Sequence, residues 1–113
     1  MPQYKQGDII KVPFPFSDDF SRSKVRPAIV VSNEMSNQLD NDIIIAPITS
    51  VVRTNVFSFL IDNQDLTFPL PLNSEVRCNK IMVMRQSLVI SKISSLKKYK
   101  HNDLIEKIYS CLT

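Results

Sequence analysis

The sequence predicts a mainly β fold with added helices (α+β): a small, strongly curved antiparallel sheet or barrel with a C-terminal helix. Three observations carry this. Five or six short apolar runs, rich in β-branched residues, follow one another at tight spacing between turn-rich pieces, the pattern of a small all-antiparallel architecture. Only the segment 102–112 shows an apolar stripe at helical period. The chain has 113 residues, 43% of them hydrophobic, which is the length and composition of one compact domain, expected here over 1–113.

Each element has its own warrant. From Asp8 to Phe14 the chain alternates, with Ile10, Val12 and Phe14 on one face. Pro13 and Pro15 lack the N–H that a ladder needs, so this strand is expected to end early or to lie at an edge. Ser17–Lys24 is polar, aperiodic and long for a hairpin turn, which predicts a loop with an exposed tip, open to a functional role. Ala28–Val31 and Ile43–Ile48 are continuous apolar runs too short for helices and are expected to be the most buried strands. Between them, Met35 and Leu39 stand four apart in an otherwise polar stretch, a spacing that suits a single helical turn. Val56–Ile61 predicts a further strand, and Asp62–Asn73, with two prolines, an irregular connection. Glu75–Met84 reads as a long strand whose apolar face switches from Val76 and Cys78 to Ile81 and Val83, the phase slip of a β-bulge. Asn102 is placed to cap a last helix whose stripe is Leu104, Ile105, Ile108 and Leu112, with Cys111 beside it.

Composition excludes whole classes of chemistry. There is one glycine, Gly7, so Gly-rich phosphate loops and dinucleotide fingerprints are absent. The single histidine, His101, rules out a mechanism with two imidazoles and a His-rich metal cluster, and its polar neighbours predict an exposed side chain. No motif offers a metal or cofactor site. Cys78 and Cys111 lie far apart in the sequence and are expected to be free thiols in a reducing compartment. The chain has no apolar run of membrane-spanning length, and the start Met-Pro-Gln-Tyr-Lys-Gln has no signal core, so the expectation is a cytoplasmic protein with no membrane partner. The net charge of +3 is uneven: residues 1–76 carry six Lys/Arg against nine Asp/Glu, and residues 77–113 carry eight against two. A basic C-terminal third can attract phosphates or an acidic protein segment.

Three segments taken together carry a family resemblance: Gly-Asp-Ile-Ile-Lys-Val-Pro-Phe-Pro-Phe-Ser-Asp (7–18), Lys-Val-Arg-Pro-Ala-Ile-Val-Val-Ser (24–32) and Ile-Ile-Ala-Pro-Ile-Thr-Ser (44–50). In this order and spacing, across about Tyr4 to Leu112, the chain resembles the MazF/PemK toxin endoribonucleases. The resemblance implies a small SH3-like barrel with added helices, as in MazF, Kid and CcdB. It also implies a homodimer that cuts single-stranded RNA without a metal or other cofactor, a cognate antitoxin protein as partner, and contact with DNA only through the antitoxin complex. It assigns the catalytic pair to Arg26 and Thr49. The loop Ser17–Lys24 is expected to close over the RNA and to overlap the antitoxin surface. Phe16, Ser17, Lys24, Ser50 and Lys80 are the RNA-binding candidates.

The residue types fit that chemistry. Metal-free RNA cleavage turns the ribose 2′-OH on its own phosphate, so the protein must help remove that proton, stabilise the phosphoryl oxygens and help the 5′-oxygen leave. Arginine offers a five-donor fork that fits phosphate, and a threonine hydroxyl adds one bond. A guanidinium is a reluctant base, so the identity of the general base stays open at this point. Phe14, Phe16 and Phe20 are candidates for stacking on bases, with Phe14 the better core residue. One departure bears on substrate choice: Lys80-Ile81-Met82 stands where many relatives have Gln-Ile-Arg, and Met82 cannot make an arginine's bidentate bonds. Asp40, Asp42, Asp62 and Asp65 would oppose RNA if they lay near its groove. Two other functions share the scaffold. A gyrase poison of the CcdB type carries a Trp-containing tail, whereas this chain has no Trp and ends Ser-Cys-Leu-Thr. An inactive antitoxin-binding relative would have little reason to keep both Arg26 and Thr49.

Overall fold

The computed structural model describes residues 3–16 and 19–113, with the side chains of 15–16 and 19–22 excepted. Strands β1 (Asp8–Phe16), β2 (Asp19–Val30), β3 (Asp42–Thr49), β4 (Ser58–Ile61), β5 (Ser74–Arg77), β6 (Met82–Arg85) and β7 (Ser91–Ser95) form one curled antiparallel half-barrel. Its order is β4-β5-β3-β2-β1-β7, with β6 also paired to β3. Helix α1 (Glu34–Asp40) links β2 to β3, and α2 (His101–Ser110) follows β7. No helix among the described residues is long and apolar enough to cross a membrane.

The central segments Ala28–Val30 of β2 and Ile43–Ile48 of β3 are apolar throughout because both their faces are covered. On one face Ile9, Ile29, Ala46, Ile48 and Val76 meet Leu66, Leu70 and the inward residues of α2, Leu104 and Ile108. On the other, Ile10, Val12, Ala28, Val30, Ile43, Ile45 and Met84 form a second cluster. Strict alternation along β1, β2 and β3 sends neighbouring residues to opposite clusters. Each fully buried Ile or Leu stabilises the fold by about 1.5–3 kcal/mol, so these two clusters fix which way every side chain on the sheet points.

Several expectations are corrected. Of the two alternatives for β1, the edge is the one observed: the strand runs to Phe16, and Pro13 and Pro15 lie beyond Lys11, where its pairing with β7 stops and β2 is its only partner among the described residues. Most of the predicted loop is strand, since β2 starts at Asp19 and Phe16 pairs with Asp19. Only Ser17 and Asp18 lie between, outside the described residues. Backbone pairing in a hairpin needs no apolar alternation, so its polar sequence hid the strand. The predicted long strand Glu75–Met84 is two. Ile48 faces Val76 and Ile45 faces Met82, which leaves three residues more on the β5–β6 side than on β3, and Cys78–Asn79 turn there. The odd insertion does switch faces, but it buries Met84 and half-buries Met82 and leaves Val83 61% exposed. β7, Ser-Lys-Ile-Ser-Ser, was not anticipated because it holds a single apolar residue.

The helices also depart in detail. Asn33 caps α1 by accepting from the N–H of Ser36 at 3.0 Å, and Asn41 ends it with φ 58. Met35 and Leu39 nevertheless point outward, and the buried residue is Asn37. Its amide donates to the carbonyls of Tyr4 and Ser32, and the Gln86 side-chain amide donates to the main-chain carbonyl of Asn37. In α2 the N-cap position is Lys100, which makes no side-chain cap, because a 3-10 turn (Lys98–Lys100) leads into the helix; Asn102 falls inside its first turn. Leu112 lies past the helix end and is exposed. His101 is half-buried, with Nε2 2.8 Å from the carbonyl oxygen of Leu96. Its ring lies where a side chain on Gly7 would stand: a Cβ there would be 2.3 Å from Nε2, and Gly7 has φ +94. That explains the chain's one glycine. Cys78 and Cys111 are free thiols, as expected, yet adjacent in space, the Cys111 thiol donating to the Cys78 carbonyl at 3.3 Å. Burial, as the largest influence, pushes the Cys78 thiol up to about 12, so it is not a nucleophile.

Candidate functional site

The second apolar face becomes cationic at one end. Along β2 its residues run Val30, Ala28, Arg26, Lys24, and along β3 they run Ile43, Ile45, Pro47, Thr49. Ala28 pairs with Pro47, the last pair of the β2–β3 ladder, and Arg26 and Thr49 lie two residues beyond it on their strands. Thr49 in turn pairs with Glu75 on β5. Arg26 and Thr49 therefore share a face by alternation along their strands, and Glu75 stands directly opposite Thr49. Arg26 is exposed, Thr49 half-buried and Glu75 fully buried.

Around Arg26 and Thr49 lies a cleft of about 460 Å³ lined by Phe14, Lys24, Arg26, Pro47, Ile48, Thr49, Arg53, Arg77, Lys80 and Met82. Five of these side chains are cationic and none is a carboxylate, a composition that favours an anionic ligand. The volume lies in the range of small-ligand sites. Phe14 and Met82 form its apolar floor, continuous with the buried cluster. Arg26, Thr49 and Lys24 also line a second, apolar cleft of about 800 Å³, whose far wall is the strap Phe68-Pro69-Leu70-Pro71-Leu72. The strap is anchored at Leu70, whose N–H and C=O both bond the Asn63 side chain, and at Phe68, whose N–H and C=O both bond the Ser94 hydroxyl. Arg26 and Thr49 thus sit on a ridge with cations on one side and apolar surface on the other.

Glu75 does not face the ligand space. Oε1 accepts from the N–H groups of Arg53 (2.9 Å) and Thr54 (3.1 Å), and Oε2 accepts from the Ser58 hydroxyl (2.7 Å). Burial pushes this carboxyl up, but the Ser58 hydroxyl, then the N–H groups of Thr54 and Arg53, and last the positive charge of Arg53 together outweigh it and leave the group below its ordinary range. It is an anion held by its donors, and a poor proton acceptor.

Among the sequence candidates, Arg26, Thr49, Lys24 and Lys80 converge on the cationic cleft, while Ser50 lines only the apolar one. Phe16 closes β1 and Phe20 lies on β2, with side chains outside the described residues, as is the whole of Ser17. His101 lines neither cleft. Asp40, Asp42, Asp62 and Asp65 line neither cleft as well; Asp42 pairs with Arg85 at 3.1 Å and Asp65 accepts from the Tyr99 hydroxyl. Arg53 and Arg77 also line the cationic cleft but were not candidates from sequence, because they lie between segments of regular pattern or on a short strand and carry no local signal of their destination. The arrangement can grip a phosphate from two sides: a forked donor and a hydroxyl at the ridge, further cations behind them, and an apolar slot beside them for a flat ring.

The comparisons with known proteins agree with this architecture. Residues 5–112 match the family model described as PemK-like, MazF-like toxin of type II toxin-antitoxin system. Among solved structures the chain is similar to an endoribonuclease in complex with its cognate antitoxin from a mycobacterial species, with TM-score 0.78 and 16% identity over 96% of this chain and 94% of that one. It is similar to a chain of the MazE–MazF complex (form III) from Deinococcus radiodurans, with TM-score 0.78 and 16% identity over 98% and 97%. The Mycobacterium tuberculosis toxin MazF-mt6 gives TM-score 0.70 and 19% identity over 91% and 95%. At these identities the structural likeness establishes the fold. No curated protein matches the sequence.

Proposed function

The chain belongs to the PemK-like, MazF-like toxins of type II toxin–antitoxin systems, and from that premise we propose that it is a sequence-selective endoribonuclease that cuts single-stranded RNA without a metal. The observation that carries the reading is that Arg26 on β2 and Thr49 on β3 both line a carboxylate-free cationic cleft and an apolar one, at the ridge between them. The scissile phosphate sits on the ridge. The ribose 2′-oxygen bonds to phosphorus as its proton passes to solvent water, the phosphorus–5′-oxygen bond breaks, and the 5′-oxygen takes a proton. The products are a 2′,3′-cyclic phosphate and a 5′-hydroxyl end. In this proposal Arg26 stabilises the phosphoryl oxygens and gives the leaving oxygen its proton, regaining one from solvent, and the Thr49 hydroxyl donates to a non-bridging oxygen. DNA, without the 2′-OH, survives.

Lys24 and Lys80 contact flanking phosphates, Ser50 and the apolar strap meet the bases, and Phe16 and Ser17 are the further RNA-binding residues of this proposal. Acting on mRNA in the cytoplasm, the protein would block translation and growth. Its further partners in this proposal are a second copy of the chain, as a homodimer, and the cognate antitoxin, whose complex alone brings it to DNA. The similar endoribonuclease bound to its cognate antitoxin supports the last of these.

Purified protein incubated with a long single-stranded RNA in excess EDTA tests the reading. Discrete cuts with cyclic-phosphate and 5′-hydroxyl ends are expected. Arg26→Ala and Thr49→Ala should each slow the reaction by about 10²–10³, the usual cost of one transition-state contact, with melting curves like the parent. No cutting by the folded protein across several RNAs, or mutants that lose activity only by unfolding, would overturn it.

A further inference from the structure

Glu75 shares a face and a register position with Thr49, is fully buried, and lines neither cleft. Its oxygens are instead spent on the segment 51–58 above it. Two backbone N–H groups and the Ser58 hydroxyl bond the carboxylate, the N–H of Asn55 donates to the Ser58 hydroxyl at 3.0 Å, and the N–H of Phe57 donates to the Asn55 side chain at 2.9 Å. Held by these bonds, Thr54 takes φ 54, a left-handed conformation that costs a threonine energy and persists only where the surroundings enforce it. The result is a loop whose backbone is fixed from beneath by a buried anion. Its residue Arg53 enters the cationic cleft.

The charge arrangement sharpens the point. Glu75 receives the backbone N–H of Arg53 and makes no ion pair with the guanidinium among the described residues. That guanidinium uses one donor, Nη1, on the carbonyl of Val51 at 3.2 Å, out of the five it carries. The side chain is thus left to the cleft, beside Arg26, Arg77 and Lys80. An apolar residue at 75 would fill the space but would strand two N–H groups and a hydroxyl, and the loop would have to move to satisfy them.

We propose that Arg53 binds a second phosphate of the RNA, next to the one held by Arg26 and Thr49, and that Glu75 is the positioning residue that fixes the 51–58 loop for it. This rests on the reading of the cleft as an RNA site. It assigns a role to the buried carboxylate outside the proton chemistry: the acid serves the geometry of the electrostatic track.

The test is the affinity of the protein for a 2′-O-methylated single-stranded RNA dodecamer of mixed sequence, which binds but cannot be cut, followed by fluorescence anisotropy over a salt series. Each phosphate contact on single strands contributes about 0.7 to the slope of log K against log salt. Arg53→Gln should lower the slope by about that amount, and Glu75→Gln should remove the same part. The double variant should bind no more weakly than the poorer single one, since both act through one contact. Ser58→Ala should shift the slope in the same direction by less. Arg53 is exposed, so its variant folds and decides the matter even if Glu75→Gln does not. An unchanged slope in Arg53→Gln, or losses that add in the double variant, would overturn the proposal while leaving the nuclease intact. If the parent protein fails to bind the dodecamer at low salt, the RNA reading falls, and this proposal with it.

Discussion

At position 75 a single carboxylate ties the energetics of folding to the geometry of the site. Its pKa lies below the ordinary 4.5, so the folded state binds its proton more weakly than the unfolded chain does. The stability it contributes is fully present above the unfolded value and is lost as pH falls through the lower, folded one. Glu75→Gln should therefore lower the unfolding free energy at neutral pH and make it fall less steeply below about pH 4.5. Urea melts of both proteins across that range would give parallel curves if Glu75 were not the group responsible. Neither this carboxylate's task nor that of Gly7 was legible beforehand. A lone Glu in a strand of alternating pattern reads as solvent-facing, and Gly7 was informative in the sequence only for the motifs it failed to make. In the fold, Gly7 keeps the space that the His101 ring occupies.

Among elements, those recognised from the sequence were the ones whose residues must satisfy a core. Ala28–Val31 and Ile43–Ile48 are apolar on both faces and became the centre of the sheet. The C-terminal stripe was likewise legible because Leu104 and Ile108 repeat at a helical spacing and close over the other face. Its outer limit was not, since Leu112 continues the stripe in sequence but lies past the last turn. Leu104→Ala should cost about 2–5 kcal/mol and Leu112→Ala less than about 0.5 kcal/mol, as read by equilibrium denaturation. Similar losses at both would mean that the stripe extends as the sequence suggested. The polar half of the β1–β2 hairpin and β7 escaped because backbone pairing, not side-chain burial, makes them strands. α1 was found for an incomplete reason: its helical spacing is real, but Met35 and Leu39 face outward and the buried anchor is Asn37.

For the molecule as a whole, the charge that matters is local. The C-terminal third holds the excess of Lys and Arg, yet it supplies the cationic cleft only with Arg77 and Lys80. Lys92 pairs with Asp8 at 3.2 Å, Lys100 with Asp103 at 3.5 Å, and Lys97 donates to the carbonyl of Gln64. The other three cations of the cleft, Lys24, Arg26 and Arg53, come from the part of the chain that is acidic overall. A Lys97→Gln/Lys98→Gln protein should thus keep the salt dependence of RNA binding, while Lys24→Gln/Lys80→Gln, with the same loss of net charge, should flatten it by about 1.4 on the scale of two single-strand contacts. Equal effects would point to net charge as the driver. The sequence by itself determined the β-rich class, the two most buried strands, the final helix and, through three motifs, the family, and it singled out Arg26 and Thr49 as candidates. Those features are written as local periodicity or as contiguous words, which folding does not rearrange. The tertiary structure alone decided that Arg53 and Arg77 join them, that Glu75 lies beneath one of them, and that the aspartates stay out of the clefts. Such placements follow from strand order and register, which bring together residues far apart in the chain, and an isolated charged side chain carries no period from which its neighbours can be read.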